Sequence, residues 1–583
     1  MRFFKNSFFI TVTIGLAVAL EAMTINSLQE FNTINNSFQE ASSKYKNYGK
    51  DVTLSEIKYS EAATQELMQL VVNNDIETFK TIANKNFIQE IYQKNQYTPI
   101  WFNDKGVKQD SLNELCTIIQ ADITLDENGP VFKRSQELQS LLSTNPKLTL
   151  QQQLYYDLQL SSLYKSYVSY HLYGAIEWKG FEQKLATLRR NKMNADWVTN
   201  TPKYNIAELM FAYPLSHIIA VTTPNSFGYQ QLLSELRRLK KIQKQGGWKK
   251  LSNSPQLRYG KSGALVKQLT ERLQSSGDYR CQHNRATYTY DQCLQKAVKQ
   301  FQIRHGISAS GSINNYTISK LNLPVEWKIN KVLLNIDRIK RLPDQPEDRY
   351  IMVNIPDFKL YYKENGQEKL SMRVIVGDKE HHTPIFSNAV SYIVLNPYWI
   401  IPDTIAKQEV IPEMIKNPNY LAQKGYEVRK DFAFSRPPLD CNSINWSQVL
   451  RNKQSNKYKF VQPPGSNNAL GKIKFKFPNQ FAVYMHDTPT KNLFKKGERA
   501  FSHGCIRVAN PEGLLATFAP HERSVNYDRA QAILKGKTKT QLNLSERVPV
   551  HIVYLTAWIN SDGLLHYRND VYNYDSKQIR SIE

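Results

Sequence analysis

Residues 481–511 read FAVYMHDTPTKNLFKKGERAFSHGCIRVANP, and the fold class turns on how they are divided. In the first seven, Phe481, Val483 and Met485 alternate with Ala482, Tyr484 and His486. That period of two is a half-buried strand, and it leaves His486 on the face opposite the core at the strand's end. A polar loop follows and closes on Gly504, with Cys505 nineteen positions after His486. Beyond the cysteine, Asn510 can cap a helix, Pro511 suits its first turn and Glu512 suits the positive end of its dipole.

A thiol is a weak nucleophile until it loses its proton, and its ordinary pKa is about 8.5. An imidazole within hydrogen-bond reach can take that proton. Arg507, two residues on, adds positive charge or braces the loop, and Gly504 clears space for backbone N–H groups to meet a substrate oxyanion. Three other readings compete: an inert buried cysteine, a surface histidine, and a zinc site of His486, His503 and Cys505. The two-residue spacing of His503 and Cys505 strains joint ligation. His381-His382, beside Thr383-Pro384, reads as a solvent-facing loop.

Working outward, RYIMVNIPDFKLYYKENGQEKLSMRVIVG (349–377) reads as strands around an Asn365-Gly366 hairpin turn. AVSYIVLNPYWIIP reads as one strand ended by Pro402. Residues 403–468 break the style, and strand character returns at IKFKFPNQFAVYMH, at VPVHIVYLTAW and in a last hairpin through Ser561-Asp562-Gly563. A mostly β domain with an inserted lid or brace is expected. Upstream, residues 61–250 carry Leu and Tyr at helical spacings and read as a scaffold. Between them, 255–323 reads as three short helices. Leu265, Leu269 and Leu273 lie on one face and Leu294, Ala297, Val298 and Phe301 on another, with Asn315 as the cap of the third.

A chain of 583 residues needs several cores. Its net charge of +24 suits nucleic acid, anionic lipid or an acidic wall polymer. The start decides among these: Arg2 and Lys5 precede an apolar run from Phe8 to Leu20, with small residues Ala17, Ala19 and Ala22. That is a secretory signal over 1–22, cleaved or kept as an inner-membrane anchor, followed by a polar tether over 23–60. Export removes nucleic acid from the partners. Of five cysteines, Cys281 and Cys293 are close enough to bridge a loop, and Cys505 is the candidate free thiol.

The unit at 255–323 resembles the peptidoglycan-binding domain of type one, through its AV-x-x-FQ helix at Ala297–Gln302. Ser310-Gly311 stands where that family has Asp-Gly, and the loop from Tyr279 to Tyr290 is longer than usual. HDTPTKNLF…RAFSHGCIRVANP resembles the catalytic signature of the L,D-transpeptidases, the YkuD-type domain. VQPPGSNNALGKIKFKFPN (461–479), Thr383–Ser387 and Tyr398–Pro402 agree. The order of domains is similar to the large YcbB-like branch of Gram-negative bacteria.

The resemblance implies a multidomain α+β protein: helical scaffold, three-helix bundle, mostly β catalytic domain over 330–558, and a hairpin and tail over 559–583. It implies Cys505 as nucleophile, His486 as proton carrier, Ser502, His503 and Gly504 as shapers of the loop, and Arg507 as its brace or a contact for substrate carboxylates. A backbone carbonyl is the expected orienter of His486. Asp487 stands where smaller relatives carry glycine. Trp446, Tyr420 and Tyr426 are the candidate lid residues. The implied reaction joins diaminopimelate residues of peptidoglycan tetrapeptide stems, donor and acceptor, by 3→3 cross-links through a cysteine acyl-enzyme. Water as acceptor would make a carboxypeptidase, a lipoprotein lysine a wall anchor, and a decayed site a binding scaffold. No metal or cofactor is implied, the compartment is the periplasm, and other wall-synthesis enzymes are candidate partners.

Overall fold

The structure is a computed structural model, and it describes residues 61–73, 82–201, 203–281, 288–343 and 347–581. The expected signal and tether lie outside these residues. Among the described residues no helix is long and apolar enough to cross a membrane.

The chain packs as two units. The first holds the described residues up to Ala175, together with Lys203–Thr223 and Ser581. Its longest helix, Leu150–Tyr173, opens on a capping box between Thr149 and Gln152 and buries Leu154, Leu158, Tyr167 and Val168. The same helix buries a carboxylate that the Leu and Tyr spacing hides. Asp157 accepts the backbone N–H groups of Ile100 (3.0 Å), Trp101 (2.8 Å) and Phe102 (3.0 Å), and the Tyr92 hydroxyl. Burial pushes its carboxyl up to about 6. This knot leads into a small ladder of β1 (Phe102–Asn103) and β2 (Gly106–Val107).

The second unit takes Ile176–Pro202 and Pro224–Arg580. The stretch expected as one helical domain, 61–250, is therefore shared, since helices Trp178–Arg190 and Tyr229–Lys244 fold with the second unit. Helices Ala264–Ser275, Gln292–Arg304 and Asn315–Leu321 form the three-helix bundle around Leu269, Leu273, Leu294, Val298 and Phe301. Asn314, not Asn315, caps the third, accepting the N–H of Thr317 at 2.8 Å. Gln302 is buried and ties the loop down, accepting from Gly311 N–H and donating to the Ser312 carbonyl, both at 2.8 Å. Cys281 and Cys293 form a disulfide; Cys116, Cys441 and Cys505 are free.

The strand-rich part of the second unit supplies β3 (Arg349–Asn354), β4 (Lys359–Glu364), β5 (Gln367–Gly377), β6 (Phe386–Leu395), β7 (Trp399–Ile400), β8 (Glu427–Arg429), β9 (Lys459–Gln462), β10 (Ile473–Lys476), β11 (Met485–His486), β12 (Ala500–Ser502), β13 (Ile506–Val508) and β14 (Thr540–Val553). The hairpin of β15 (Ala557–Ile559) and β16 (Leu565–Tyr567) follows. Nine of these strands run in the order β12-β5-β13-β11-β10-β6-β14-β3-β4, and β4 pairs back onto β5. The sheet thus closes on itself with β12 as an appendage, which leaves few unpaired edges. The Asn365-Gly366 turn carries φ of 48° and 74°, as a tight hairpin between β4 and β5 requires. The core lies between Val374, Ile393, Phe475 and Ile506 of the sheet and Leu514, Leu515 and Phe518 of helix Pro511–Phe518, which Asn510 caps as expected.

The stretch 389–402 is not one strand. Asn396 takes φ 48°, and β7 leaves the large sheet to pair with β9, which also pairs with β8. This small sheet and helices between Asp403 and Arg451 make the insertion, with a core of its own around Ile411, Met414, Val428, Trp446 and Phe460. After β16 the chain returns to the strand-rich domain. Asp575 pairs with Arg338 (2.7 Å) and Lys331 (3.0 Å), and Tyr572 and Tyr574 are buried.

Candidate active site

Three adjacent strands build one polar face. β10 runs antiparallel to β11, pairing Lys474 with His486; β11 runs parallel to β13, pairing Met485 with Ile506 and His486 with Arg507. Ile473, Phe475, Met485, Ile506 and Val508 point into the core, all fully buried. By alternation the opposite face carries Lys474 and Lys476, Tyr484 and His486, Cys505 and Arg507. Tyr484 is the cross-strand neighbour of Cys505, and His486 lies one diagonal step away. The alternation expected over 481–486 holds from Val483 onward. Before that the chain turns: Ala482 has φ 55°, and Asn479 accepts N–H groups of Phe481 and Val483 while donating to the Val483 carbonyl at 2.8 Å.

His486 is 4% exposed, and its Nδ1–H donates to the carbonyl of Asp487 at 2.5 Å. The orienting group expected to be a backbone carbonyl is thus residue 487's own. That bond fixes the tautomer and leaves Nε2 as the acceptor. Burial, with Arg507 and Lys474 nearby, lowers the imidazole to about 3. Burial pushes the Cys505 thiol up, opposed by hydrogen bonds from Tyr484 and by the charges of Lys474 and Lys476. Burial and the neighbouring sulfur raise Tyr484 well above its usual value, so its hydroxyl keeps its proton as a donor. At neutral pH the site holds a thiol and a neutral imidazole.

Asp487 is a clamp. Its carboxylate accepts the Lys472 N–H at 2.8 Å and an ion pair from Lys491. It fills the space beside Gly471, whose φ is +60° and where a Cβ would overlap it.

The loop carrying Cys505 is braced from two sides. Ser502 Oγ donates to the Cys505 carbonyl at 2.5 Å and accepts the Gly504 N–H at 3.3 Å, so that N–H, expected to face substrate, is turned inward. Gly504 has φ +103°, and its carbonyl accepts from Thr383 Oγ1, which itself accepts the Gly377 N–H, both at 2.8 Å. His503 Nε2 meets Glu409 of the insertion at 2.8 Å and its ring lies 4.6 Å from that of His381. Arg507 Nη1 reaches Thr490 Oγ1 at 3.4 Å, and its Nε is buried without an acceptor.

Other sequence expectations move. His382 does not face solvent: it stacks on Tyr572 at 4.0 Å, bonds the Tyr574 hydroxyl at 2.7 Å, and is lowered by burial to about 4. Trp446, a lid candidate, lies in the insertion's core with its Nε1–H on the Cys441 carbonyl at 3.0 Å. Tyr420 and Tyr426 pack edge to face at 6.2 Å against that core. Among the described residues no three His, Cys, Asp or Glu side chains converge as metal ligands. Sequence reasoning missed Tyr484, Lys474 and Lys476. The alternating IKFKF carries the lysines' signal, but not that β10 lies beside His486.

Residues 348–523 match the family described as "L,D-transpeptidase catalytic domain" (YkuD), residues 86–236 match "Scaffold domain", and residues 262–321 match "Putative peptidoglycan binding domain". A protein of Haemophilus influenzae described as "Putative L,D-transpeptidase" is 33% identical over 254 residues, 43% of this chain and 49% of that protein. The chain thus spans about half the length of that relative. Two solved structures are also similar: an L,D-transpeptidase from Mycobacterium smegmatis (12% identity, 35% of this chain and 58% of the other, TM-score 0.16) and one from Xylanimonas cellulosilytica (15%, 52% and 100%, TM-score 0.17).

Proposed function

We propose, from the premise that residues 348–523 are an L,D-transpeptidase catalytic domain of the YkuD type, that this protein forms 3→3 cross-links between peptidoglycan stems outside the cytoplasmic membrane. The observation that carries the reading is the shared face of β11 and β13, which sets Cys505 beside Tyr484 and a diagonal step from His486.

The chemistry follows from that arrangement. The Cys505 sulfur attacks the carbonyl carbon of the third stem residue while His486 Nε2 takes the thiol proton. Because the imidazole is neutral at rest, the proton moves during attack rather than beforehand. The Cys505 N–H has no acceptor among the described residues and is the donor available to the oxyanion. His486 then gives the proton to the departing D-alanine nitrogen as the C–N bond breaks, leaving a thioester. The side-chain amine of a second diaminopimelate attacks the thioester, His486 takes its proton, and the sulfur leaves and is reprotonated.

The bundle at 262–321 supports a peptidoglycan substrate. Purified protein with a disaccharide-tetrapeptide is expected to release D-alanine and yield a cross-linked dimer by mass. Cys505→Ala is expected to lose both, and a mutant that still turns over would end the proposal. A hydrolysed tripeptide without dimer would instead favour water as acceptor.

A further inference from the structure

Lys474 and Lys476 leave β10 on the face that carries Cys505, and Arg507 leaves β13 on the same face. The Lys474 ammonium sits 3.7 Å from the centroid of the Tyr484 ring and that of Lys476 5.3 Å from it. The ring thus holds both lysines over the residue that bonds the sulfur. Among the described residues no carboxylate pairs with either lysine, and the Arg507 Nε finds no acceptor. Burial and the neighbouring Lys476 lower Lys474 to about 8. Three part-buried cations without a counter-ion repel one another, and an arriving anion relieves that repulsion.

We propose that Lys474, backed by Lys476 and Arg507, forms a carboxylate-binding subsite beside Cys505 that holds the free C-terminal carboxylate of the donor's leaving residue. The proposal rests on the transpeptidase reading and names which end of the substrate this face recognises. In a donor that ends one residue past the scissile bond, the carboxylate carbon is three bonds from the attacked carbonyl, about 4 Å away. Neighbouring strands lie about 4.8 Å apart, so a lysine two strands from Cys505 can lean across Tyr484 to that point. A further residue turns the carboxylate into an amide and carries the charge about 3.5 Å farther off. Lys474 is then a specificity residue: it scores donors by where they end.

The test compares the disaccharide-tetrapeptide with the same donor carrying a C-terminal amide. The wild-type protein is expected to favour the carboxylate at least about tenfold in kcat/KM, mainly through KM. Lys474→Met is expected to bring that ratio close to one, and Lys474→Arg to keep most of it. A ratio unchanged in Lys474→Met overturns the subsite. If the wild-type protein acts on neither donor, the transpeptidase reading fails, and the subsite is judged by alkylation alone. Iodoacetate and iodoacetamide, followed at the Cys505 peptide by mass, differ only in their carboxylate. The iodoacetate-to-iodoacetamide rate ratio at Cys505 is expected about tenfold above that of free cysteine and level with it in Lys474→Met. A wild-type ratio equal to free cysteine's overturns the subsite on that ground too.

Discussion

At the scale of single residues, the proton positions at His486 and Cys505 make a pH signature. A general-base imidazole of ordinary pKa would lose activity as pH falls through the histidine range near 6.5. Here burial lowers His486 to about 3 and raises the thiol. The acid limb of kcat/KM is therefore expected well below pH 5. Iodoacetamide labelling of Cys505 is expected to climb with pH beyond the usual thiol range. A limb at pH 6–7 would contradict the lowered imidazole, and fast labelling at pH 6 would show a thiolate–imidazolium pair instead. Gly471 offers a second test. Its positive φ and the Asp487 carboxylate beside it leave no room for a methyl group. Gly471→Ala is expected to cost about 1–3 kcal/mol of stability and to lower activity by displacing the clamp below His486, read by denaturant unfolding and D-alanine release.

At the scale of elements, local chemistry was legible and long-range pairing was not. Asn365-Gly366 announced its hairpin and Asn510 its helix because the side chain or φ that makes the turn belongs to the residue itself. The alternation ending at His486 placed it opposite the core for the same reason. Tyr484 and Lys474 escaped because their importance comes from β13 lying parallel on one side of β11 and β10 antiparallel on the other. No local pattern encodes those registers. Trp399-Ile400 misled because its strand pattern is real, but the positive φ at Asn396 sends it into another sheet. The insertion's separate core gives an expected outcome. Trp446→Ala, removing the ring that packs on Phe460 at 5.5 Å, is expected to open residues 403–462 to limited proteolysis. The large sheet stays resistant; cleavage spread evenly over the strand-rich domain would refute an independent insertion.

At the scale of the whole molecule, several buried histidines act together on stability. His382 is lowered by burial to about 4, and His486 and His566 to about 3. The unfolded chain binds these protons below about pH 6.5, while the folded chain refuses them until pH 3–4. Their stabilising contribution is complete above pH 6.5 and is lost as pH falls toward those lower values, by about 1.4 kcal/mol per group per pH unit. The denaturant midpoint of the second unit, which holds these histidines, is expected to drop between pH 7 and pH 5, before carboxylates of ordinary pKa titrate, and a flat midpoint there would contradict the burial. The closing of the fold by residues 568–580 reaches further still. Tyr572 donates its hydroxyl to the Gly377 carbonyl at 2.8 Å and accepts the Thr383 N–H at 3.2 Å, so the support under Gly504 comes partly from a segment far along the chain. Removing residues 568–580 is therefore expected to leave the Cys505 sulfur present but the loop around it unsupported, so that the geometry of one bond-making thiol is set from nearly seventy residues further along the chain.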